Sequence, residues 1–574
     1  MKKPFSILIF SLCTMTIAMA QTQSKKNSDI SMPEGYDMPN NKRVIVEIKP
    51  KSVPNARSLS AYAKAFETPA SLPRYSDVVM RSLPVREGTK NNTFSAMDNF
   101  HVTRLEWTNA VSDEHITKVI ASGRYFGGMF GSANEDPAAK VYGQLDLAGK
   151  NVTLKHHRAW KQVPSVGCMN NPDFLKFQVE EATKYIKAGA TSMQRDEPES
   201  QTSAYMIGAC FCSHCVTKFN KWLSTNISQN DLAANGVTDL KSFNYKQYLI
   251  DKKAPVGDDF SKWEGGKLKE WYLKFQSQTN IDYLKSLHEG INKAKGAHYP
   301  MSCNNTSFQN WSAAYSFADY GYSEMIMRTA IPERIYERAY VARSQGRLQV
   351  YSIPKMIGAD VIPEDVRYKT NRRVVATAYA VGSIMSVPWD TYEQTPSGSD
   401  RYFGKPEQYA DLFGFVRGMT PYLDKYEEVC AMGKNIAEQK LDGKTLVSGL
   451  PDKVYAFARA IPNNPKADIV LHLVNWNDNA QDFTLELDKK LITGDKQVKL
   501  KLLTPASYSL EKHTQAEAKA QQLRPKGKLF SEKESTAYRE LVNTVELPYE
   551  IKGDKIVVKM HALQLWSVLV VSKK

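Results

Sequence analysis

The 574-residue chain has two patterns of apolar and polar residues, and the change between them lies near residue 428. Before that point, short apolar runs alternate with longer amphipathic stretches whose apolar residues recur three or four positions apart. One such stretch is PDFLKFQVEEATKYIKAGA, with Pro172 in its first turn and Gly189 at its end, as is typical of helices. We predict that the short runs are strands and that the amphipathic stretches are helices.

Eight strands are predicted in this part of the chain. They are VTRLEW (102–107), YFGGMF (125–130), a weaker run near HHRAWKQV (156–163), TSMQ (191–194), YPMSCNN (299–305), FADYGYSEM (317–325), RLQVYSIPK (347–355) and GSIMSVPWDTYE (382–393). Strands that alternate with helices form a parallel sheet, and eight such units predict an α/β fold with a (β/α)8 TIM barrel over residues 98–428. In such barrels the active site lies at the C-terminal ends of the strands.

The last part of the chain, residues 429–574, consists of short runs of alternating apolar and polar residues with turn residues between them. Examples are KVYAFARAI, ADIVLHLVNW and LWSVLVVS. This pattern predicts a C-terminal β-sandwich domain. Within it, EKHTQAEAKAQQ is predicted to be a surface loop or a short helix. Residues 21–97, before the barrel, are polar and irregular and are predicted to be an N-terminal extension with one strand at RVIVEIK.

The first 20 residues, MKKPFSILIFSLCTMTIAMA, combine two lysines, an apolar run and a small-x-small end at Ala18-Met19-Ala20. This is the pattern of a secretory signal peptide cleaved after Ala20, and it predicts a periplasmic or secreted protein. The run is too short for a membrane span, and no later stretch is long and apolar enough for one.

The formal net charge is +15, and removal of Lys2 and Lys3 with the signal peptide leaves +13. A positive balance suits a polyanionic partner, but scattered lysines and secretion argue against nucleic acid. An anionic polysaccharide and a plain basic surface both remain open. Nucleotide-binding, zinc-protease and serine-hydrolase motifs are absent, so no organic cofactor is predicted. His156 and His157 would face opposite ways in an extended segment, which argues against a joint metal role.

Three cysteines lie within six residues in CFCSHCVTKFNKWL, which begins at Cys210. Secretion favours disulfides, whereas the C-x-C-x-x-C spacing of Cys210, Cys212 and Cys215 suits a tetrahedral zinc site. Cys168 precedes the helix that begins near Pro172 and is the candidate fourth ligand. The alternative is a disulfide from Cys168 to one member of the cluster.

The stretches VGCMNNPDF, RDEP and CFCSHCVTKFNKWL together resemble the family 42 glycoside hydrolases, which are β-galactosidases with a barrel fold. The resemblance is specific only between residues 166 and 223. It implies a structural zinc ion held by Cys168, Cys210, Cys212 and Cys215. It also implies that Glu197, at the end of strand four, is the catalytic acid/base. Asp196 stands where the family has an asparagine that holds the sugar 2-hydroxyl. The family nucleophile ends strand seven, but the matching LQVYSIPKM here contains no carboxylate.

Glycosidases generally require two carboxyl groups around the scissile bond. With Glu197 as the acid, the candidates for the second group are Glu324, which ends strand six, and then Asp390 on strand eight. Each of these carboxylates has an alternative role. Asp196–Glu197 could be a strand-capping turn, Glu324 could bind a substrate hydroxyl group, and Asp390 could belong to a buried ion pair. Candidate substrate-binding residues at the strand ends are Trp107, Asn304, Tyr322, Trp389 and Tyr392, since aromatic faces stack on sugars.

These features together predict a secreted glycoside hydrolase that cleaves a polysaccharide or oligosaccharide with paired carboxylates. The alternative is a non-catalytic carbohydrate-binding or scaffold protein with a degenerate barrel site, because strand seven lacks its carboxylate. The sequence does not specify the sugar, the stereochemical course or the oligomeric state.

Overall fold

The computed structural model describes residues 72–573 except 83, 88–91, 109–111, 132, 135–136, 160–164, 306–312, 326–329, 353–363, 389–404, 437–439, 442–443, 463, 465, 494–496 and 525–531. The predicted signal peptide and the strand predicted at RVIVEIK lie outside these residues. In the part of the chain that the structure describes, no helix is long and apolar enough to cross a membrane.

Eight parallel strands form one sheet in which each strand pairs with the next along the chain. Val387 N, just after the eighth strand, donates a hydrogen bond of 2.8 Å to Val79 O on the first strand, so the sheet closes on itself. The predicted (β/α)8 barrel is therefore confirmed. Its strands are β1 (Val79–Arg81), β2 (Arg104–Thr108), β3 (Tyr125–Phe130), β4 (Ser192–Arg195), β5 (Met301–Cys303), β6 (Tyr320–Glu324), β7 (Leu348–Ser352) and β8 (Ile384–Met385).

The first barrel strand corrects the predicted boundary at residue 98. β1 lies inside the segment predicted to be an extension, and it pairs with β2 from Val79 opposite Arg104 to Arg81 opposite Glu106. The predicted strand near HHRAWKQV is wrong where it is described, because Lys155–Ala159 forms a helix. β1 could not be predicted from the sequence, because it consists of only three residues, all of them buried. Such a run is too short to show a period.

Helices surround the sheet and follow local sequence signals. Before Pro172, the side chain of Asn171 accepts a hydrogen bond from Asp173 N and so caps the predicted helix. Gly189, just beyond its end, has a positive φ of 102° that suits glycine. The helices of this part are α1 (Thr93–Asn99), α2 (Asp113–Ala121), α3 (Lys155–Ala159), α4 (Pro172–Lys187), α5 (Ser200–Tyr205), α6 (Ser213–Asn226), α7 (Gln229–Ala234), α8 (Tyr245–Asp251), α9 (Gly266–Lys295), α10 (Pro332–Ser344), α11 (Glu364–Ala380), α12 (Pro406–Gly418) and α13 (Thr420–Leu423).

Short 3-10 helices and a small strand pair complete the barrel part. The 3-10 helices are Pro137–Tyr142, Gly257–Lys262 and Ala313–Tyr315, and the paired strands are Ala133–Asn134 and Ser165–Val166. Between β4 and α9, the helices α5 to α8 form a subdomain with its own apolar core, in which the cysteine cluster lies beside aromatic residues such as Phe219 and Tyr272.

The C-terminal part contains two antiparallel sheets that enclose a second apolar core, so the predicted β-sandwich is confirmed. The strands are β9 (Glu427–Met432), β10 (Val447–Ser448), β11 (Val454–Ala460), β12 (Ile469–Asn475), β13 (Gln481–Asp488), β14 (Val498–Pro505), β15 (Val542–Leu547), β16 (Glu550–Lys552), β17 (Lys555–Leu563) and β18 (Trp566–Lys573). In order across each sheet, six strands (β9-β11-β12-β18-β14-β15) face four (β10-β13-β17-β16). Other elements are the strand pair Lys440–Leu441 and Lys444–Thr445, α14 (Lys489–Thr493), α15 (Leu510–Leu523) and the 3-10 helix Glu532–Leu541.

The outer face of the six-stranded sheet packs against barrel helices. Trp566 on β18 meets Phe415 of α12 edge to face, with ring centroids 4.9 Å apart, and stacks on Tyr379 of α11 at 6.3 Å. Val568 and Val570 belong to the same apolar core as the barrel residues. The two parts of the chain therefore share buried surface.

Candidate active site

Polar side chains gather at the C-terminal ends of β4, β5 and β6. Asp196 and Glu197 follow β4, Asn304 follows β5, and Glu324 is the last residue of β6. Asn304 Nδ2 donates to Asp196 Oδ1 at 3.1 Å, and Glu197 N donates to the same oxygen at 3.0 Å. Because parallel strands end at one edge of a barrel, residues distant in the chain meet here.

Glu197 has an unusual backbone conformation. Its φ is +51°, in the left-handed region that residues with a side chain seldom adopt, and Trp107 at the end of β2 has the same value. Such residues cost on the order of 1–3 kcal/mol and are enriched at active sites, where the surrounding structure imposes them. Both strained positions lie at the C-terminal face of the barrel.

Glu324 forms an ion pair with a residue of the first barrel strand. Arg81 Nη1 donates to Glu324 Oε1 at 2.9 Å, and the two side chains are only 3% and 10% exposed. The same guanidinium lies over the ring of Trp107, 3.6 Å from its centroid. Arg81 therefore fixes the Glu324 carboxylate and compensates its charge at this partly buried position.

The pKa of Asp196 depends on burial and on the neighbouring charges of the site. Burial raises the pKa of Asp196, and the nearby charges of Glu197 and Glu324 raise it further. Arg81 and the hydrogen bond from Asn304 oppose this rise only in part. Three carboxyl groups therefore share one low-dielectric environment, which is the condition under which one carboxyl group keeps its proton while another is ionised.

His157 is a site residue that the sequence reasoning missed. Its Nε2 lies 3.3 Å from Glu197 Oε1, and the two side chains are 12% and 17% exposed. From the sequence, His156 and His157 were considered only as a possible joint metal site, and this contact was therefore not predicted. The useful signal was the position of His157 between β3 and β4, where a connection crosses the C-terminal face.

The predicted aromatic residues divide into two groups. Trp107 and Tyr322 are buried and meet edge to face at 5.2 Å. Tyr322 Oη donates to Ser386 Oγ at 2.7 Å, and Trp107 Nε1 points at Met129 Sδ at the same distance. These two rings form the floor beneath Arg81 and present no open face to a sugar in this state. Trp389, Asp390 and Tyr392 lie outside the described residues.

The four predicted cysteine ligands come together beside the barrel. Cys168 Sγ lies 3.6 Å from Cys212 Sγ and 3.5 Å from Cys215 Sγ, and all four sulfur atoms lie within 4.8 Å of one another. The structure has all four as free thiols, and these distances exceed the roughly 2.05 Å of a disulfide.

Hydrogen-bond donors surround these sulfur atoms. Asn170 Nδ2 lies 3.3 Å from Cys215 Sγ, and Leu145 N lies 3.4 Å from Cys210 Sγ. The pKa of Cys212 is lowered by hydrogen bonds from the other three thiols, whereas the pKa values of Cys168 and Cys210 are raised well above the usual range. Hydrogen bonds with the neighbouring thiols raise the pKa of Cys168, and burial raises the pKa of Cys210.

Two α-agarases align with part of the chain. The enzyme of Thalassotalea agarivorans is 22% identical over 284 residues, and that of Alteromonas agarilytica is 21% identical over 285. Each alignment covers 46% of this chain and 19% of the relative, so the chain spans about a fifth of the length of these proteins. No family model matches the chain.

Two solved glycoside hydrolases match the chain over most of its length at very low sequence identity. An α-L-fucosidase from Paenibacillus thiaminolyticus matches 88% of this chain and 100% of its own, with 9% identity and a TM-score of 0.46. A maltogenic α-amylase from Thermotoga neapolitana matches 87% of this chain and 99% of its own, with 7% identity and a TM-score of 0.44.

Proposed function

We propose that the chain is a glycoside hydrolase that cleaves a polysaccharide at the C-terminal face of its barrel. The observation that carries this proposal is the gathering of Asp196, Glu197 and Glu324 around one site, with a strained backbone at Glu197. The distant similarity to α-agarases supports a carbohydrate substrate. Because agarose is the polysaccharide in the names of those relatives, it is the first substrate to test.

In the proposed mechanism, Glu197 is the general acid and Glu324 is the second carboxylate. Glu197 donates a proton to the departing glycosidic oxygen, and His157, at 3.3 Å, orients its carboxyl group. The Arg81 contact holds Glu324 as a carboxylate, the form needed to attack the anomeric carbon or to activate water. Asp196 and Asn304, joined by their hydrogen bond, are placed to bind sugar hydroxyl groups.

Glutamine substitutions at the two glutamates test these roles separately. Glu197→Gln is expected to lower turnover of polysaccharide by about 10²–10⁴-fold but to affect activated aryl glycosides less, since a good leaving group needs little protonation. Glu324→Gln is expected to abolish turnover of both. Release of reducing ends from agarose and other polysaccharides, and of phenol from aryl glycosides, measures these rates. Glu180→Gln, on the exposed face of α4, is the control.

A non-catalytic carbohydrate-binding protein is the second candidate, because LQVYSIPKM, the sequence matching strand seven of the resembled family, carries no carboxylate. Binding of a polysaccharide without any release of reducing ends would favour this candidate. Equal turnover by the wild type and both glutamine variants would instead remove these glutamates from the reaction.

We further propose that Cys168, Cys210, Cys212 and Cys215 hold a structural zinc ion. The proposal rests on chemistry and spacing: four sulfur ligands, and sulfur–sulfur distances of 3.5 and 3.6 Å beside the about 3.8 Å of a tetrahedral site with Zn–S bonds of about 2.3 Å. A zinc ion there would tie the segment before α4 to the start of α6.

A further inference from the structure

A second group of metal-ligand side chains lies at the opposite, N-terminal face of the barrel. His288 is on α9, His298 is in the connection from α9 to β5, and Asp319 immediately precedes β6. One ligand atom from each of the three lies within 4.8 Å of the other two. In the part of the chain that the structure describes, this group and the four cysteines are the two such clusters.

Hydrogen bonds hold these side chains in place. Asp319 N donates to Met301 O at 2.7 Å, and Asp319 Oδ2 accepts from Met301 N at 2.9 Å. His288 Nε2 lies 3.0 Å from the carbonyl oxygen of Tyr299, and this contact orients the imidazole. The same nitrogen faces Asp319, so an ion bound here would replace the contact of His288 Nε2 with the Tyr299 oxygen.

The distances between the side chains suit a small cation. His298 Nε2 lies 2.9 Å from Asp319 Oδ1, and His288 Nε2 lies 4.0 Å from Asp319 Oδ2. Ligands bound at about 2.0–2.2 Å in a tetrahedron are separated by about 3.3–3.6 Å, which lies between these two values. Small side-chain rotations would therefore bring all three ligand atoms onto one ion.

The cluster opens onto a cavity of about 690 Å³. Side-chain exposure is 14% for His288, 19% for Asp319 and 55% for His298, so an ion could enter from solvent. Arg347 also lines this cavity, but its guanidinium donates to the backbone oxygens of Ala318 and Ser316. The Nε and Nη2 atoms of Arg347 are therefore engaged by backbone oxygens.

We propose that His288, His298 and Asp319 bind one divalent transition-metal ion, with the remaining coordination positions open to the cavity. Two imidazoles and one carboxylate favour ions such as Zn²⁺ or Ni²⁺ over Mg²⁺ or Ca²⁺, which prefer all-oxygen sites. Residues at the N-terminal face of a barrel serve stability. The ion therefore cross-links α9 to the start of β6 and takes no part in the reaction at the opposite face.

Calorimetric titration of the untagged full-length protein with Ni²⁺ tests the site. The protein is used as purified, so that the cysteine cluster keeps its own occupant. We expect one Ni²⁺ site in the wild type, and at least about tenfold weaker binding in His298→Ala and in Asp319→Asn. His561→Ala, which removes a histidine with a 79% exposed side chain in the sandwich, should bind as the wild type does.

Thermal unfolding gives a second measure that does not depend on enzymatic activity. Ni²⁺ should raise the melting temperature of the wild type and of His561→Ala, and should leave that of His298→Ala unchanged, since a ligand bound only to the folded state stabilises it. His298 is exposed, so its loss should leave the fold intact. Absence of Ni²⁺ binding to the wild type, or undiminished binding to both site variants, would overturn the proposal.

Discussion

At the scale of single residues, Asp196 links the C-terminal ends of β4 and β5 and adds a charge to the candidate site. Its Oδ1 atom accepts hydrogen bonds from both Asn304 Nδ2 and Glu197 N. An asparagine side-chain oxygen can accept both bonds, but it carries no charge. The two contributions of Asp196, geometry and charge, can therefore be separated by substitution.

We expect Asp196→Asn to keep turnover within about tenfold of the wild type, because both hydrogen bonds survive. Asp196→Ala should lower turnover by about 10²-fold, since the backbone at Glu197 loses its support and small displacements of a catalytic group are costly. Steady-state kinetics on the best polysaccharide substrate measures both variants. Equal loss in the two would mean that the negative charge itself is required.

The cysteine cluster gives a second prediction at this scale. Cys212→Ser removes one thiolate, and we expect loss of bound zinc together with a fall in melting temperature, because metal-binding energy contributes to folding. Elemental analysis of protein purified without chelator, and thermal unfolding, are the measurements. Cys303→Ala, which alters a buried cysteine of β5 outside the cluster, should lose stability but keep the zinc. Zinc-free wild-type protein would refute the proposed site.

At the scale of elements, the segment predicted to be a surface loop or short helix forms α15, which is tied to the barrel through the buried side chain of Glu517. Glu517 on this helix is buried and lies 3.0 Å from His101 Nδ1, 2.8 Å from Arg124 and 2.7 Å from Tyr538 Oη. Burial alone would raise the pKa of Glu517, but the hydrogen bond from His101 and the charge of Arg124 outweigh burial and lower it to about 2.

This low pKa predicts an acid-sensitive helix. A glutamate with a pKa near 4.3 when unfolded and about 2 when folded contributes about 3 kcal/mol of stability at neutral pH. The contribution is complete above the unfolded pKa and is lost as the pH falls toward 2. We expect Glu517→Gln to destabilise the protein by about 3 kcal/mol at pH 7.

Denaturant unfolding at several pH values checks this prediction. The difference between the wild type and Glu517→Gln should shrink as the pH falls from about 5 to 2. Glu511→Gln, an exposed position on the same helix, is the matched control and should change little. A difference that stays constant with pH would show that charge is not the source of the effect.

Elements with local signals could be predicted from the sequence, and elements defined by distant partners could not. The sequence of α4 contains both its cap, Asn171, and its terminator, Gly189. β1 has only three residues, and its identity as a strand comes from pairing with β2. The meeting of Asp196 and Glu324 followed from barrel geometry, but the Arg81 contact with Glu324 was hidden, because Arg81 lies on the strand that was missed.

At the scale of the whole molecule, the sandwich covers an apolar face of the barrel. Trp566 of the sandwich contacts both Phe415 and Tyr379 of the barrel helices. Each large apolar side chain buried in this way stabilises the protein by about 1.5–3 kcal/mol. A chain that ends before Glu427 would expose these residues. We expect it to be insoluble, with the full chain produced in parallel as the control. A soluble shortened chain with a cooperative thermal transition would show instead that the barrel folds independently.

Closure of the barrel between Val79 and Val387 has a consequence for biosynthesis. Val387 is translated about 300 residues after Val79, which takes about 15–60 s at about 5–20 residues per second. During that interval β1 can pair with β2, but its other edge has no neighbour, and an open strand edge is a template for misassembly. The barrel therefore cannot be completed until the eighth strand is available to cover this edge of β1.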